Sequence, residues 1–264
     1  MQFPIGARRK AENRRCHVRN RVREAACFGL SPSSADCYPS ADDFTSERQA
    51  RVRPISTLED IADGLDALCR LDPRLEAVRA LAGDVPLRRI EPGFASLVSI
   101  IVAQQVSRAS ADAILARLSR LADQLSPETL LAADDSLFRD AGLSRPKQRT
   151  LLALSHAVMG GLDLGRVCDL QADEAIALLT AVSGIGRWTA EVYLLTAAGH
   201  PDVFPARDVA LQSAVGHALG VAPRPGERQL IEIAESWSPH RGVASRLFWA
   251  YYRQIKGREG APPS

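Results

Sequence analysis

The sequence predicts an all-α fold. Apolar residues recur at spacings of three and four along most of the chain, the spacing of one helix face. Stretches that alternate apolar and polar residues are too scarce to build a sheet. The breaks between apolar stretches fall at Gly, Pro, Ser and Asp, the residues that cap and stop helices.

A chain of 264 residues holds one large domain or two small lobes. Its hydrophobic share of 46% and charged share of 24% are those of a globular protein. A net charge of +2 does not announce a nucleic-acid binder, so any such role rests on a local basic face. No apolar run is long enough to span a membrane. The five cysteines (Cys16, Cys27, Cys37, Cys69 and Cys168) form no CxxC pair and are odd in number. That argues against a disulfide framework or a zinc site and fits a reducing compartment.

Residues 1 to 53 stand apart. Ten arginines fall there among clusters of Ser, Pro and Asp, with weak apolar periodicity. The segment reads as a disordered basic leader: a DNA-touching arm, an organelle transit segment, or the product of a misplaced start codon. Glu12, Glu24, Asp36, Asp42 and Asp43 argue against transit, since such peptides are poor in acids.

Order begins near Ser56. Ser56 and Thr57 supply a helix cap followed by acids, with Ile61, Leu65 and Leu68 as the apolar face. Asp72-Pro73 opens a second short helix carrying Leu75, Val78 and Leu81, and a loop with Gly83, Pro86, Pro92 and Gly93 follows. Phe94 to Val102 reads as a buried helix, interrupted at Gln104-Gln105-Val106. Ser107 caps the next helix, whose stripe is Ile114, Leu115 and Leu118. The paired amides have a plain reading, capping local backbone groups. Residues 126 to 141 read as one helix begun by Ser126-Pro127-Glu128. Arg145, Lys147 and Arg149 read as a solvated basic face with phosphate contact as the alternative, and Met159 reads as core filler.

The chain is organised around 178 to 208. Ala175, Leu178, Leu179 and Val182 share one helix face, Gly184-Ile185-Gly186 breaks it, and Arg187 opens a second helix through Trp188, Val192 and Leu195. Such a turn is either an ordinary helical hairpin or a phosphate site built from free N–H groups at a helix start. Asp208 precedes an apolar helix that stops at Gly220, so its plain role is an N-cap. Gln229 to Ser236 gives a further helix, and 243 to 255 the last one, with Ala244, Leu247, Phe248, Tyr251 and Ile255 as its stripe. Trp249 lies off that stripe and needs another surface, either a second packing face or a wall for a stacked base. His156, His217 and His240 have no metal-site spacing.

VSGIGRWTAEVY resembles the helix-hairpin-helix of DNA glycosylases, and DVFPARD resembles the segment after it. The match points to the alkylpurine branch, the AlkA-type 3-methyladenine glycosylases II. The resemblance implies two helical lobes, about 54–100 plus 200–264 and about 101–199, within a glycosylase domain over 54–264, and an active-site cleft between the lobes. The mixed α/β N-terminal domain of AlkA has no counterpart here, so the shorter all-helical relatives are the better match. It implies that Asp208, twenty residues after Trp188, is the catalytic carboxylate. It further implies that Trp188 and Trp249 form the base pocket and that Gln105 fills the gap left by the extruded nucleotide. Gly184, Gly186 and Arg187 then belong to the DNA-binding hairpin. The carbonyls of Thr180, Val182 and Ile185 are implied to hold a structural Na+ or K+, with no catalytic cofactor. The partner is double-stranded DNA, the enzyme acts as a monomer away from any membrane, and in a bacterium it sits in the nucleoid.

Breaking the bond between an alkylated purine and its sugar leaves positive charge on the sugar, as in glycoside hydrolysis. A nearby carboxylate stabilises that charge and orients water. The helix start after Asp208 keeps the acid ionised, so capping and catalysis are compatible. Relatives with lyase activity carry a nucleophilic Lys where this chain has Trp188, and an indole forms no Schiff base. The expected product is therefore an uncut abasic site. Two indoles would hold an electron-poor base by cation–π attraction, roughly 0.5–2 kcal/mol per contact. The iron–sulfur branch is disfavoured because no cysteine follows Cys168. The alternatives are a non-catalytic hairpin module, which needs neither Asp208 nor the two tryptophans, and a glycosylase for a different damaged base.

Overall fold

A computed structural model describes residues 53–259. The basic leader expected over residues 1 to 53 lies outside them except for Arg53, which pairs with Asp60 at 3.2 Å. The described residues form thirteen α-helices and one π-helical segment, and no strand is found among them. In chain order the helices are α1 (Leu58–Leu71), α2 (Leu75–Ala82), α3 (Phe94–Ala103), α4 (Arg108–Leu121), α5 (Pro127–Ala132), α6 (Asp135–Ala141) and α7 (Arg145–Met159). They continue with α8 (Leu164–Val167), α9 (Ala172–Thr180), α10 (Arg187–Tyr193) and the π segment (Leu194–Ala198). The last three are α11 (Val209–Leu219), α12 (Glu227–Glu235) and α13 (Arg241–Glu259). None is long and apolar enough to cross a membrane.

The helices enclose two apolar cores. One gathers buried residues from Leu97 to Val203, the other those from Ile55 to Val85 and from Phe204 to Tyr251. The chain therefore leaves the second core after Val85, builds the first, and returns at Phe204. Caps set the element ends. Thr57 and Asp60 exchange side-chain and backbone bonds at the start of α1, and Ser107 and Ser126 accept the N–H of Ser110 and Thr129. Gly220 takes the left-handed conformation that ends α11.

Several elements differ from the sequence reading. Residues 126 to 141 form two helices, because the Asp134 carboxylate accepts the N–H groups of Ser136 and Leu137 and starts α6 afresh. The short helix α8 follows the same device, with Asp163 accepting from Gly165 and Arg166. Met159 is 55% exposed at the end of α7 and fills no core. Leu81 is likewise exposed, and Ala82 takes the buried place on α2. Trp237, in the turn after α12, is wholly buried between Phe204 and Phe248, with its indole N–H donating to Asp72 at 3.0 Å.

The least expected core residue is Arg246 on α13. Its side chain is buried and donates to three carbonyls: Leu87 at 3.0 Å, Gly242 at 2.8 Å and Leu195 at 2.6 Å. Burial first, then the nearby charges of Arg89 and Arg88, pull its pKa down to about 10, which leaves it charged at neutral pH. Replacing Arg246 by Met keeps the apolar stem and abandons the three carbonyls. Urea unfolding is expected to show a loss of about 3 kcal/mol or more, with Arg246→Lys losing less.

Candidate active site

Asp208 is the N-cap of α11. One carboxylate oxygen, Oδ1, accepts the Leu211 N–H at 3.0 Å, and the other, Oδ2, accepts the indole N–H of Trp188 at 3.0 Å. Trp188 stands in the first turn of α10 and packs against the first core, whereas α11 belongs to the second. The bond between them therefore joins the two cores. Trp249 is half-buried on α13 and packs against both. These placements bring Trp188 and Asp208 into direct contact and set Trp249 at the seam between the cores.

The hairpin itself is α9, a turn and α10. Ile185 N–H donates to the Val182 carbonyl at 3.0 Å across the turn. Gly184 is left-handed, with φ 88°, and a methyl group there would overlap the Thr150 hydroxyl on α7. Gly186 has open space around it and caps α10 without a side chain, so the first N–H groups of that helix are not taken by a side-chain cap. Arg187, 48% exposed, holds Glu191 by its Nε at 2.8 Å.

The paired amides divide their work. Gln104 reaches across to α10 and donates from Nε2 to the Thr189 hydroxyl at 2.7 Å, beside Trp188. Gln105 is exposed in the left-handed region, with φ 56°, so its side chain stands out at the α3–α4 junction. Of the basic residues read as a solvated face, Arg145 and Arg149 are exposed and Lys147 is half-buried. Arg145 binds Asp135 at 2.7 Å, and Lys147 donates to the Val102 carbonyl at 2.7 Å, fastening α7 to the end of α3.

One site residue escaped the sequence reading. Arg88, in the loop between α2 and α3, lies over the Trp249 ring with its guanidinium carbon 5.4 Å from the centroid. Burial first, then the charges of Arg253 and Arg108, push its pKa below the ordinary arginine value, while Asp208 pulls the other way. Its loop has no helical period, and its only signal was an arginine pair next to the Pro92-Gly93 punctuation.

Behind the hairpin lies a cavity of about 230 Å³ lined by Arg187, Glu191, Asp202, Glu227 and Arg241, among others. Glu191 is 4% exposed, and burial raises its pKa to about 7 despite the pull of Arg187. No group of three or more His, Cys, Asp or Glu side chains suited to a metal ion is found among the described residues.

Residues 98–240 match the HhH-GPD superfamily base excision DNA repair proteins, and the chain belongs to that superfamily. Among solved structures, it is similar to a 3-methyladenine DNA glycosylase of Schizosaccharomyces pombe in complex with abasic DNA. That likeness has 26% identity and a TM-score of 0.66, over 71% of this chain and 95% of that one. It is also similar to a DNA-3-methyladenine glycosidase of Bacillus halodurans, at 32% identity and a TM-score of 0.65, over 74% and 91%. A probable bifunctional transcriptional activator and DNA repair enzyme AlkA of Mycobacterium tuberculosis is 31% identical over 83% of this chain and 46% of its own length.

The Glu191 carboxyl binds its proton more tightly in the folded protein than in the unfolded chain, so folding is favoured at low pH. That advantage declines as pH rises from about 4.5 through about 7. Unfolding measured from pH 4 to 8 is expected to show wild type losing on the order of 3 kcal/mol relative to Glu191→Gln across that window.

Proposed function

We propose that this protein is a monofunctional DNA glycosylase that flips alkylated purines of the 3-methyladenine type out of duplex DNA and excises them, leaving an abasic site. It is an N-glycosyl hydrolase of base excision repair. The observation that carries the assignment is the shared bond of Asp208 and Trp188, which sets a carboxylate and an aromatic face together at the junction of two lobes.

In this reading Asp208 meets the positive charge that grows on the sugar as the base departs. Its two donors hold the carboxylate in one orientation, and each oxygen keeps a lone pair for water. Trp188 and Trp249 bound the base. Position 188 offers no amine, so the abasic product is released without strand cleavage. Gln105 enters the space vacated by the flipped nucleotide, helped by a backbone that already stands it clear of the fold. The N–H groups of the hairpin turn and Arg187 grip phosphate without reading sequence. Carbonyls of Thr180, Val182 and Ile185 suit a monovalent cation, since Val182 keeps one lone pair after accepting Ile185 N–H. That ion would stiffen the turn and take no part in bond breaking. The enzyme acts as a monomer and, in a bacterium, works at the nucleoid.

Methylated duplex DNA incubated with wild type is expected to yield free 3-methyladenine or 7-methylguanine without nicks. Asp208→Asn should release neither at a comparable rate while still binding abasic DNA. Equal behaviour of the two proteins would favour a DNA-binding module without chemistry, and nicking would overturn the monofunctional assignment. Trp188→Phe keeps a ring and removes the indole donor; a fall in rate of about tenfold to a hundredfold is expected in single-turnover kinetics.

A further inference from the structure

The α3–α4 junction holds one residue in a costly conformation between fixed points. Gln105 is left-handed, with φ 56°, and a residue other than glycine keeps that backbone only where its surroundings impose it. The groups before it are held by partners distant in the chain. The Val102 carbonyl accepts from Lys147 Nζ on α7 at 2.7 Å. The Gln104 amide donates from Nε2 to the Thr189 hydroxyl on α10 at 2.7 Å. After it, Ser107 accepts the Ser110 N–H and starts α4. Helix α3 packs against both α7 and α10, so the two long ties reach elements it already touches. Between Gln104 and the cap at Ser107 stand only Gln105 and Val106, and both are exposed.

We propose that Gln104 is a positioning residue: its bond to Thr189 sets Gln105 in register with the helix that carries Trp188, so that Gln105 fills the gap in the duplex while the extruded base lies in the pocket. The proposal rests on the glycosylase reading above and on the role given there to Gln105. Thr189 is 2% exposed and directly follows Trp188 on α10, and Trp188 is bonded in turn to Asp208. A side chain held by Thr189 is therefore held relative to the pocket. An amide that only capped the helix end would find its partner within a few residues. Gln104 reaches 85 residues along the chain instead, to a buried hydroxyl.

The consequence falls on extrusion and not on bond breaking. A base leaves the stack at the cost of its pairing and stacking, and a group that occupies its place stabilises the extruded state. A group already set in that place loses little further freedom on contact. With the Gln104 tie removed, the nearest anchor before residue 105 is the Val102 carbonyl, and Gln105 can relax to an ordinary backbone with its side chain turned from the gap. A mismatched base is cheaper to extrude than a paired one, so the loss is largest for a paired lesion. A contact that merely supports the fold would slow both alike.

The test is single-turnover release of 7-methylguanine, at saturating enzyme, from duplexes that place the lesion opposite cytosine or opposite a mismatched adenine. The full chain is compared with Gln104→Ala, Gln104→Glu, Thr189→Val, the double variant of Gln104→Ala with Thr189→Val, and Gln105→Ala, with thermal unfolding alongside. Gln104→Ala and Thr189→Val are each expected to slow release about tenfold opposite cytosine and less than about threefold opposite adenine. The double variant should be no slower than the slower single one, because both remove one bond. Gln104→Glu remakes the tie with the Thr189 hydroxyl as donor and should recover most of the rate opposite cytosine. Should Gln104→Ala fail to fold, Thr189→Val, which keeps the shape of the side chain, carries the comparison. Equal losses on both duplexes, unchanged rates, or losses that Gln104→Glu does not recover would overturn the proposal. A Gln105→Ala variant as fast as wild type on both duplexes would defeat the role given to Gln105, and the proposal with it, while the glycosylase reading stands. A wild type that releases no 7-methylguanine would fail earlier, at the glycosylase reading, and take the proposal with it.

Discussion

Arg246 is the tie on which the arrangement of the site depends. One guanidinium fastens the loop after α2 through Leu87, its own helix through Gly242, and the π-helical segment through Leu195. Those three carbonyls come from both cores and from the loop between them. A planar group with five fixed donors suits this task better than a lysine ammonium, whose point charge cannot address three separated oxygens with the same geometry. The π segment matters here because its wider turn departs from the regular helical bonding pattern, and such turns gather at functional sites. Trp249, at the seam, lies three residues after Arg246 on the same helix.

The carboxylate at the seam shows how local structure and chemistry coincide. Asp208 starts a helix, and the same bond geometry points its second oxygen to the indole of the opposite core. Two donors, one from each lobe, remove the rotational freedom that an unheld carboxylate would lose on meeting a substrate. A second acid of the hairpin stands in a different setting. Glu191 is buried on α10 beside Arg187, and burial makes its proton hard to remove despite that pairing.

Much of this was legible in the chain. Caps at Ser107, Ser126 and Asp208 and the stop at Gly220 act through neighbours three or four residues away, so a sequence displays them. The hairpin glycines, Asp208 and the two tryptophans drew notice through the resemblance of VSGIGRWTAEVY and DVFPARD to the glycosylase hairpin, while spacing alone gave an ordinary hairpin and an N-cap. What escaped depends on partners distant in the chain. The burial of Arg246 needs carbonyls 51 and 159 residues away, and Gln104 finds Thr189 across 85 residues. Lys147 looks like part of a wet basic face until the end of α3 is folded against it. Met159 carried a core-like side chain on a helix end that no neighbour covers. Arg88 sits in a loop without a period, where only the folded structure reveals which aromatic ring it meets.

The two donors on Asp208 also bear on how the chain can drift over generations. Asparagine caps a helix as well as aspartate does, so at an ordinary N-cap the exchange is nearly silent. At this position it is not. An amide has one acceptor oxygen and one donor nitrogen, and whichever way it turns, an NH2 faces either the Leu211 N–H or the Trp188 N–H. A lineage that relaxed its demand for chemistry would still be pressed by folding to keep an acceptor-only group here. Selection for stability and selection for activity act on the same two oxygens in the same direction, and the simplest inactivating change is opposed twice.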